Sequence, residues 1–188
     1  MADRCVKGTL MEDYAKMIRA NPKLDWKKYL KPEDWEIIES RIMASAWYPF
    51  DTFQRCGVAI FKIVAQGNLE SVKSWGKLRA DYLFTQIYRN LKDSPNPIIA
   101  IKKYIGVRKT FTNFDMFEME LEEISAKHIK IKSKSVEQKN EGNEPFTWQV
   151  AGSIERLIEL TGGKEPKFKI LAKEWRGDTH TISEWTWE

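Results

Sequence analysis

The chain has 188 residues, of which 42% are hydrophobic, enough for one domain with a sizeable core or two tightly joined halves. Its formal net charge of +4 comes from 31 basic and 27 acidic residues that are interspersed, which argues against a nucleic-acid partner. Cys5 and Cys56 alone make neither a disulfide framework nor a metal cluster and point to a reducing compartment. No apolar run approaches the roughly 18 residues of a membrane span, and the N-terminus lacks a signal-peptide core. A cytoplasmic protein is therefore expected. The 8 tryptophans read as a bulky core sooner than as the lining for a large flat ligand.

In chain order, Leu10, Tyr14, Met17 and Ile18 share one helical face, and Asn21-Pro22 stops that helix. Pro32 opens a second helix through Trp35, Ile38, Ile42 and Met43. After Tyr48-Pro49, Asp51 suits an N-cap for a helix burying Phe53, Gly57, Ile60, Phe61 and Val64, closed by Gly67. A glycine inside that helix costs about 1 kcal/mol relative to alanine, so something should approach closely at Gly57. Asn68 caps a long helix to about Leu91, with Leu69, Val72, Gly76, Leu83, Ile87 and Leu91 along its seam. Ser94-Pro95 starts another over Ile98 to Tyr104, ended by Gly106.

The hydrophobic period then changes to two. Phe117, Met119 and Leu121 face one way and Glu118, Glu120 and Glu122 the other, while Ile129 and Ile131 alternate with His128, Lys130, Lys132 and Lys134. A hairpin turning around Ser125 would pair Glu120 with Lys130, Glu118 with Lys132 and Met119 with Ile131. Residues 135–144 read as a mobile loop. A helix follows from Pro145 to Gly162-Gly163, capped by Asn143 or Glu144. Val150, Ala151, Ile154, Leu157 and Ile158 lie on its apolar face, and Ser153, Glu155, Arg156 and Glu159 face away. A last hairpin with a tight turn at Gly177-Asp178 would set Phe168 opposite Trp187, Ile170 opposite Trp185 and Ala172 opposite Ser183. The spacing thus predicts an α+β fold in a single domain, residues 1–188. A helical half (8–106) without strands precedes a ββαββ half (107–188) that forms one four-stranded antiparallel sheet.

The inventory for catalysis is thin. His128 and His180 fall in predicted strands, away from any nucleophile, and Cys56 sits among apolar neighbours where a thiol is inert. The glutamates of the first hairpin read as a salt-bridged outer face. No phosphate loop, Cys-x-x-Cys or His-Glu-x-x-His occurs, Gly162-Gly163-Lys164 lies at a helix end, and Arg176-Gly177-Asp178 is turn chemistry. No catalytic or metal-ligating set is assigned, and the protein is read as a non-enzyme.

The order of helices, hairpin, helix and hairpin resembles the ligand-binding fold shared by haem–NO/oxygen-binding (H-NOX) domains, 4-vinyl reductase domains and TRAPP subunits. Lys7-Gly8-Thr9-Leu10 and Tyr48-Pro49 are similar to the H-NOX branch. The segment from Ile154 to Gly163, followed by a strand and Gly177-Asp178, is similar to the 4-vinyl reductase branch and to small bacterial haem–NO-binding-like proteins. Haem-binding members carry a ligating histidine late in the helical half, whereas no histidine precedes His128 here. Their Tyr-x-Ser-x-Arg propionate clamp has its counterpart in Ile131-Lys132-Ser133-Lys134-Ser135, which keeps only the serine. Two cysteines of the 4-vinyl reductase branch correspond to Glu174 and Thr181. The resemblance therefore implies the fold without haem ligation, and a cavity for a small hydrophobic ligand. Phe53, Gly57, Phe61, Leu83, Tyr104, Phe117 and Trp148 are the expected lining. The function expected is a cytoplasmic sensor or carrier, with a TRAPP-like interaction subunit as the alternative and a haem sensor with a displaced ligand as the third. A signalling protein or a second copy of the chain would be its partner.

Overall fold

A computed structural model describes residues 3–188. The chain divides into two compact units, one running up to Leu69 and including Lys109–Phe114, the other formed by Glu70–Arg108 and Asp115–Glu188.

In the first unit, strand β1 (Cys5–Lys7) leads into helix α1 (Gly8–Ala20), followed by α2 (Pro32–Glu39), strand β2 (Trp47–Pro49) and α3 (Phe50–Ala59). β1 and β2 pair antiparallel, Val6 opposite Tyr48, so the expectation of a strand-free N-terminal region fails at two three-residue strands. Three residues show too little alternation to be read as a strand, yet Val6 is fully buried and fixes the pairing. α2 starts on Pro32, and the Asp34 carboxylate accepts the Lys31 amide at 2.8 Å, a cap formed from inside the first turn. α3 starts at Phe50, one residue ahead of the Asp51 expected to cap it. It continues through a π-helical turn, Ile60–Val64.

The second unit opens with α4 (Leu69–Tyr82), a π-helical turn (Leu83–Ile87), α5 (Arg89–Lys92) and α6 (Pro97–Arg108). One continuous helix to Leu91 was the sequence expectation. The Tyr88 amide instead reaches back to the Leu83 carbonyl at 2.7 Å, and the wider turn rotates the following side chains. Ile87, placed on the buried seam by a uniform period, is consequently exposed. The Asn96 side chain caps α6 by accepting the Ile99 amide at 3.0 Å, and the helix runs past Gly106 to Arg108.

Strands β3 (Phe117–Ser125) and β4 (His128–Ser135), helix α7 (Asn143–Leu160), and strands β5 (Lys167–Ala172) and β6 (Thr181–Thr186) complete it. The sheet is antiparallel throughout in the order β3-β4-β6-β5. This is the α+β fold with the four-stranded antiparallel sheet that the two-residue period predicted. Both hairpin registers differ by two residues from expectation. Glu118, Glu120 and Glu122 face Lys134, Lys132 and Lys130, and Met119 faces Ser133; Phe168 faces Trp185 and Ile170 faces Ser183. A shift of two keeps every side chain on its face, so the charged and apolar faces are unaffected up to a bulge between Ile170 and Ala172; beyond it Ala172 faces Ile182, not the expected Ser183, and moves to the other face. The causes are a bulge between Glu123 and Ser125 and, in the last hairpin, a longer connection. A 3-10 turn over Glu174–Arg176 ends on Gly177 at φ +110°, which suits glycine, and β6 begins only at Thr181.

The core of this unit joins Leu83, Phe84, Ile101 and Tyr104 to Ile129, Ile131, Ile154, Leu157, Ile158 and Trp185. α7 starts at Asn143, after Gly142, and its Ala151, Ile154, Leu157 and Ile158 are buried as its spacing predicts. Ser153, Glu155, Arg156 and Glu159 meet α4 instead of facing solvent. Arg156 bonds Asp81 at 2.6 Å, Lys77 bonds Glu159 at 2.5 Å, and Glu155 is buried beside Lys73 at 3.4 Å. The segment before α7, expected to be mobile, is tied down: the buried Asn143 amide donates to the carbonyls of Glu137 at 2.6 Å and Gln138 at 3.2 Å.

Candidate functional site

A half-enclosed cleft of about 20 Å³ opens on the apolar face of the sheet within the second unit. The alternation of β3 supplies Phe117 and Met119, the neighbouring strands supply Ser133, Ser183 and Trp185, and α7 adds Phe146, Thr147 and Val150 at helical spacing. Arg108, the last residue of α6, completes the wall. Phe117 and Phe146 stack with centroids 5.5 Å apart.

The polar groups of this wall differ in what they already do. Thr147 donates to the Asn143 carbonyl at 2.8 Å, and Ser183 donates to the Ile131 carbonyl at 3.3 Å. The Ser133 hydroxyl has no partner among the described residues. The Trp185 indole N–H is buried and likewise unpartnered. The indole N–H groups of Trp148 and Trp175 are buried and unpartnered in the same way, each at a cost of about 1–3 kcal/mol. Arg108 lies over the rings of Tyr104 and Phe146, and no lining side chain carries a negative charge.

The residues expected from the sequence to line a pocket are distributed as follows. Phe53, Gly57 and Phe61 are in the first unit, where the Tyr14 ring stacks on Phe53 at 5.0 Å. The same ring is the close neighbour anticipated at Gly57, lying 3.2 Å from where a Cβ would stand. Leu83 and Tyr104 belong to the core of the second unit, and Trp148 meets Phe168 edge-on at 5.3 Å. Of the seven, Phe117 lines the cleft. Sequence reasoning missed Arg108 because it placed the end of α6 at Gly106. The alternation that put Phe117 and Met119 on the dry face already carried the signal for β3.

Other polar clusters are occupied by structural roles. A wider hollow in the first unit, about 390 Å³, is lined by Glu12, Arg19, Arg41, Ile42, Met43 and Ala44. Its Arg19 is engaged with the carbonyls of Ile38 at 2.7 Å and Ser40 at 3.0 Å. Fully buried Asp34 receives Arg55 at 2.6 and 2.7 Å and the Thr52 hydroxyl at 2.7 Å. Burial pushes its carboxyl up, but these hydrogen bonds and that of Lys31 outweigh burial and hold it below the usual range. Burial also pushes the Cys56 thiol up to about 12, which leaves it unreactive.

The residues present do not fit a haem bound in the manner the resemblance describes. His128 projects from the charged face of the sheet, where its Nε2 lies 2.9 Å from Glu184, and His180 contacts Thr179 at 3.0 Å. At the clamp positions Ile131 is buried in the core and Ser135 donates its amide to Glu174. Among the described residues, no group of three His, Cys, Asp or Glu side chains could hold a metal ion. No described helix is long and apolar enough to cross a membrane.

No protein-family model and no curated protein matches the chain. Solved structures do. An Fe(II) unliganded H-NOX protein from K. algicida is 12% identical at a TM-score of 0.66, covering 97% of this chain and 96% of that one. An H-NOX protein from S. oneidensis in the Fe(II)NO ligation state is 10% identical at 0.66, covering 97% and 99%. A mutant H-NOX from T. tengcongensis is 13% identical at 0.64, covering 97% of each chain. At such identities the likeness concerns architecture: the chain has the fold of H-NOX domains.

Proposed function

We propose that the protein is a non-enzymatic sensor or carrier that binds a small ligand, without haem, in the cleft between α7 and the sheet. The observation that carries this reading is the cleft itself, walled by Phe117, Phe146, Val150 and Trp185 with the unused Ser133 hydroxyl in its lining. Apolar walls with a few convergent polar groups are the usual make-up of small-molecule sites. The H-NOX fold supports it as a scaffold whose solved examples include gas complexes, one described as an oxygen-binding domain. A cytoplasmic location belongs to the same reading, supported by the free thiols of Cys5 and Cys56.

A second reading, an interaction subunit in the TRAPP manner, draws on a different surface. Leu78 and Tyr82, one turn apart on α4, are 71% and 53% exposed, and Ile87 beyond them is 51% exposed. An apolar stripe of this kind suits a signalling partner or a second copy of the chain.

Absorption spectroscopy and mass spectrometry of material extracted from the purified protein test the two together. The expected result is no Soret band and a small organic molecule that is lost on Val150→Phe, which fills the cleft. A stoichiometric Soret band would overturn the haem-free reading. An empty protein that purifies as a stable complex through Leu78 and Tyr82 would favour the interaction subunit.

A further inference from the structure

We infer that the protein self-associates through the outward face of α4, with a second copy of the chain packing its own α4 antiparallel against the first. The inference does not depend on the cleft. It assigns one partner to the apolar stripe of α4, which lies in the second unit.

The stripe is on the solvent side of its helix. At about 100° per residue, Val72, Gly76 and Ala80 make the buried face, and Ser74, Leu78 and Tyr82, one turn apart, run down the opposite one. A solvated helix face is ordinarily polar, whereas Leu78 and Tyr82 are both exposed here. The π-helical turn extends the line. Its i→i+5 bonding brings Ile87 nearly above Tyr82, so Ile87 joins the exposed row and leaves the buried seam.

What covers the stripe follows from its asymmetry along the helix axis. Its N-terminal half is small, with Ser71 and Ser74, its C-terminal half is large, with Tyr82 and Ile87, and Leu78 sits between. An antiparallel second copy sets Leu78 against Leu78 on a two-fold axis, with Tyr82 over the other copy's Ser74 and Ile87 toward its Ser71. A parallel copy would set large on large and leave the serines facing a gap. Charge runs the same way. Glu70 is exposed at the N-terminal end, where it holds Lys73 at 3.0 Å, and Arg89, exposed beyond the C-terminal end, has no ion pair among the described residues. Antiparallel packing brings each arginine toward the acidic end of the other helix, and the opposed helix dipoles favour the same direction. Size and charge thus both select a second copy and fix its orientation. One helix face per subunit makes an interface smaller than the roughly 1,200–2,000 Å² of tight complexes, so the dimer is weak, with a Kd on the order of 100 μM.

Sedimentation velocity of the full chain in low salt, between about 10 and about 500 μM, tests this. The 22.1 kDa monomer should convert reversibly to a species of twice its mass as concentration rises. Leu78→Glu sets two carboxylates against each other on the two-fold axis and should raise the Kd by about tenfold or more. Because Leu78 is exposed in the monomer, the thermal midpoint of that variant at low concentration should match the wild type. Glu70→Arg and Arg89→Glu should each weaken the dimer, and the double variant Glu70→Arg with Arg89→Glu should restore it. A chain that stays monomeric over the whole range overturns the inference, and so does a dimer indifferent to Leu78→Glu. A dimer lost in Leu78→Glu but not restored by the double reversal overturns the antiparallel arrangement. None of these outcomes alters what Val150→Phe reports about the cleft.

Discussion

Gly76 of α4 and Gly152 of α7 each lie on the backbone of the other helix. A Cβ on Gly76 would stand 2.0 Å from the Gln149 carbonyl oxygen, and one on Gly152 would stand 2.0 Å from that of Lys73. Backbone cannot yield as a flexible side chain does, so the helices must separate to admit a methyl. This contact also explains why Glu155 is buried: the helices are close enough for Lys73 to reach it. Gly152→Ala and Gly76→Ala should each cost about 3 kcal/mol or more, the upper range for overpacking. Gly106→Ala is the control. It sits inside α6 with nothing within 4 Å, so alanine should be neutral or stabilise by up to about 1 kcal/mol. Urea midpoints of the three variants check both expectations.

The closing hairpin gives a second contrast. Trp185 is buried against Phe168, their centroids 5.0 Å apart, while Thr186 points to the other face of the same strand. Trp185→Ala should cost about 3–5 kcal/mol, and Thr186→Ala no more than about 0.5 kcal/mol. A reversal of these two costs in urea denaturation would mean that β6 is slipped by one residue, with every side chain on the wrong face.

The faces of the sheet were legible in the sequence because they depend only on the parity of the alternation, which a shift of two preserves. The pairings were not, since Glu118, Glu120 and Glu122 meet basic residue types in either register: Lys132, Lys130 and His128 in the expected one, Lys134, Lys132 and Lys130 in the observed one. What chose between them was the bulge at Glu123/Ser125 and the 3-10 turn at Glu174, neither of which leaves a periodic trace. Gly57 was flagged as a close approach, while Gly152 was not, although its contact is the tighter one. The cleft was legible only through Phe117, because the other walls come from α7, β4, β6 and the end of α6, which the sequence does not place next to one another.

Asp34 ties α2 to α3 through Arg55 and Thr52, and the whole cluster is local to the first unit. Removing Arg55 leaves a fully buried carboxylate without its cation, so Arg55→Met should cost about 3–5 kcal/mol. Replacing both, as Asp34→Leu with Arg55→Met, should cost less than the single change, because no buried charge is then left uncompensated. A double variant as damaged as the sum of the two single ones would show that the residues act independently.

Glu174 offers the pH test. Its carboxylate is buried, accepts the Ser135 amide at 3.1 and 3.0 Å through its two oxygens, and has no cation in hydrogen-bond contact among the described residues. Burial pushes the carboxyl up, and the Ser135 amide and the more distant His180 and Lys134 only partly oppose it. A carboxyl whose pKa is raised on folding binds its proton more tightly in the folded than in the unfolded chain. Its ionised form therefore costs stability at neutral pH, and the cost disappears as pH falls through the raised value toward the ordinary glutamate range. Glu174→Gln removes that titration while keeping a carbonyl oxygen for the Ser135 amide. Asp34, whose carboxyl is held low, loses its stabilising contribution on acidification, but it does so equally in wild type and variant and cancels from their difference. The expected result is a stability difference that favours Glu174→Gln most at neutral pH and shifts toward the wild type on acidification, read from thermal midpoints between about pH 8 and about pH 4. A difference that stays constant across that interval would show that the carboxyl titrates alike in the folded and unfolded chain, and the assignment of its shift to burial would be refuted.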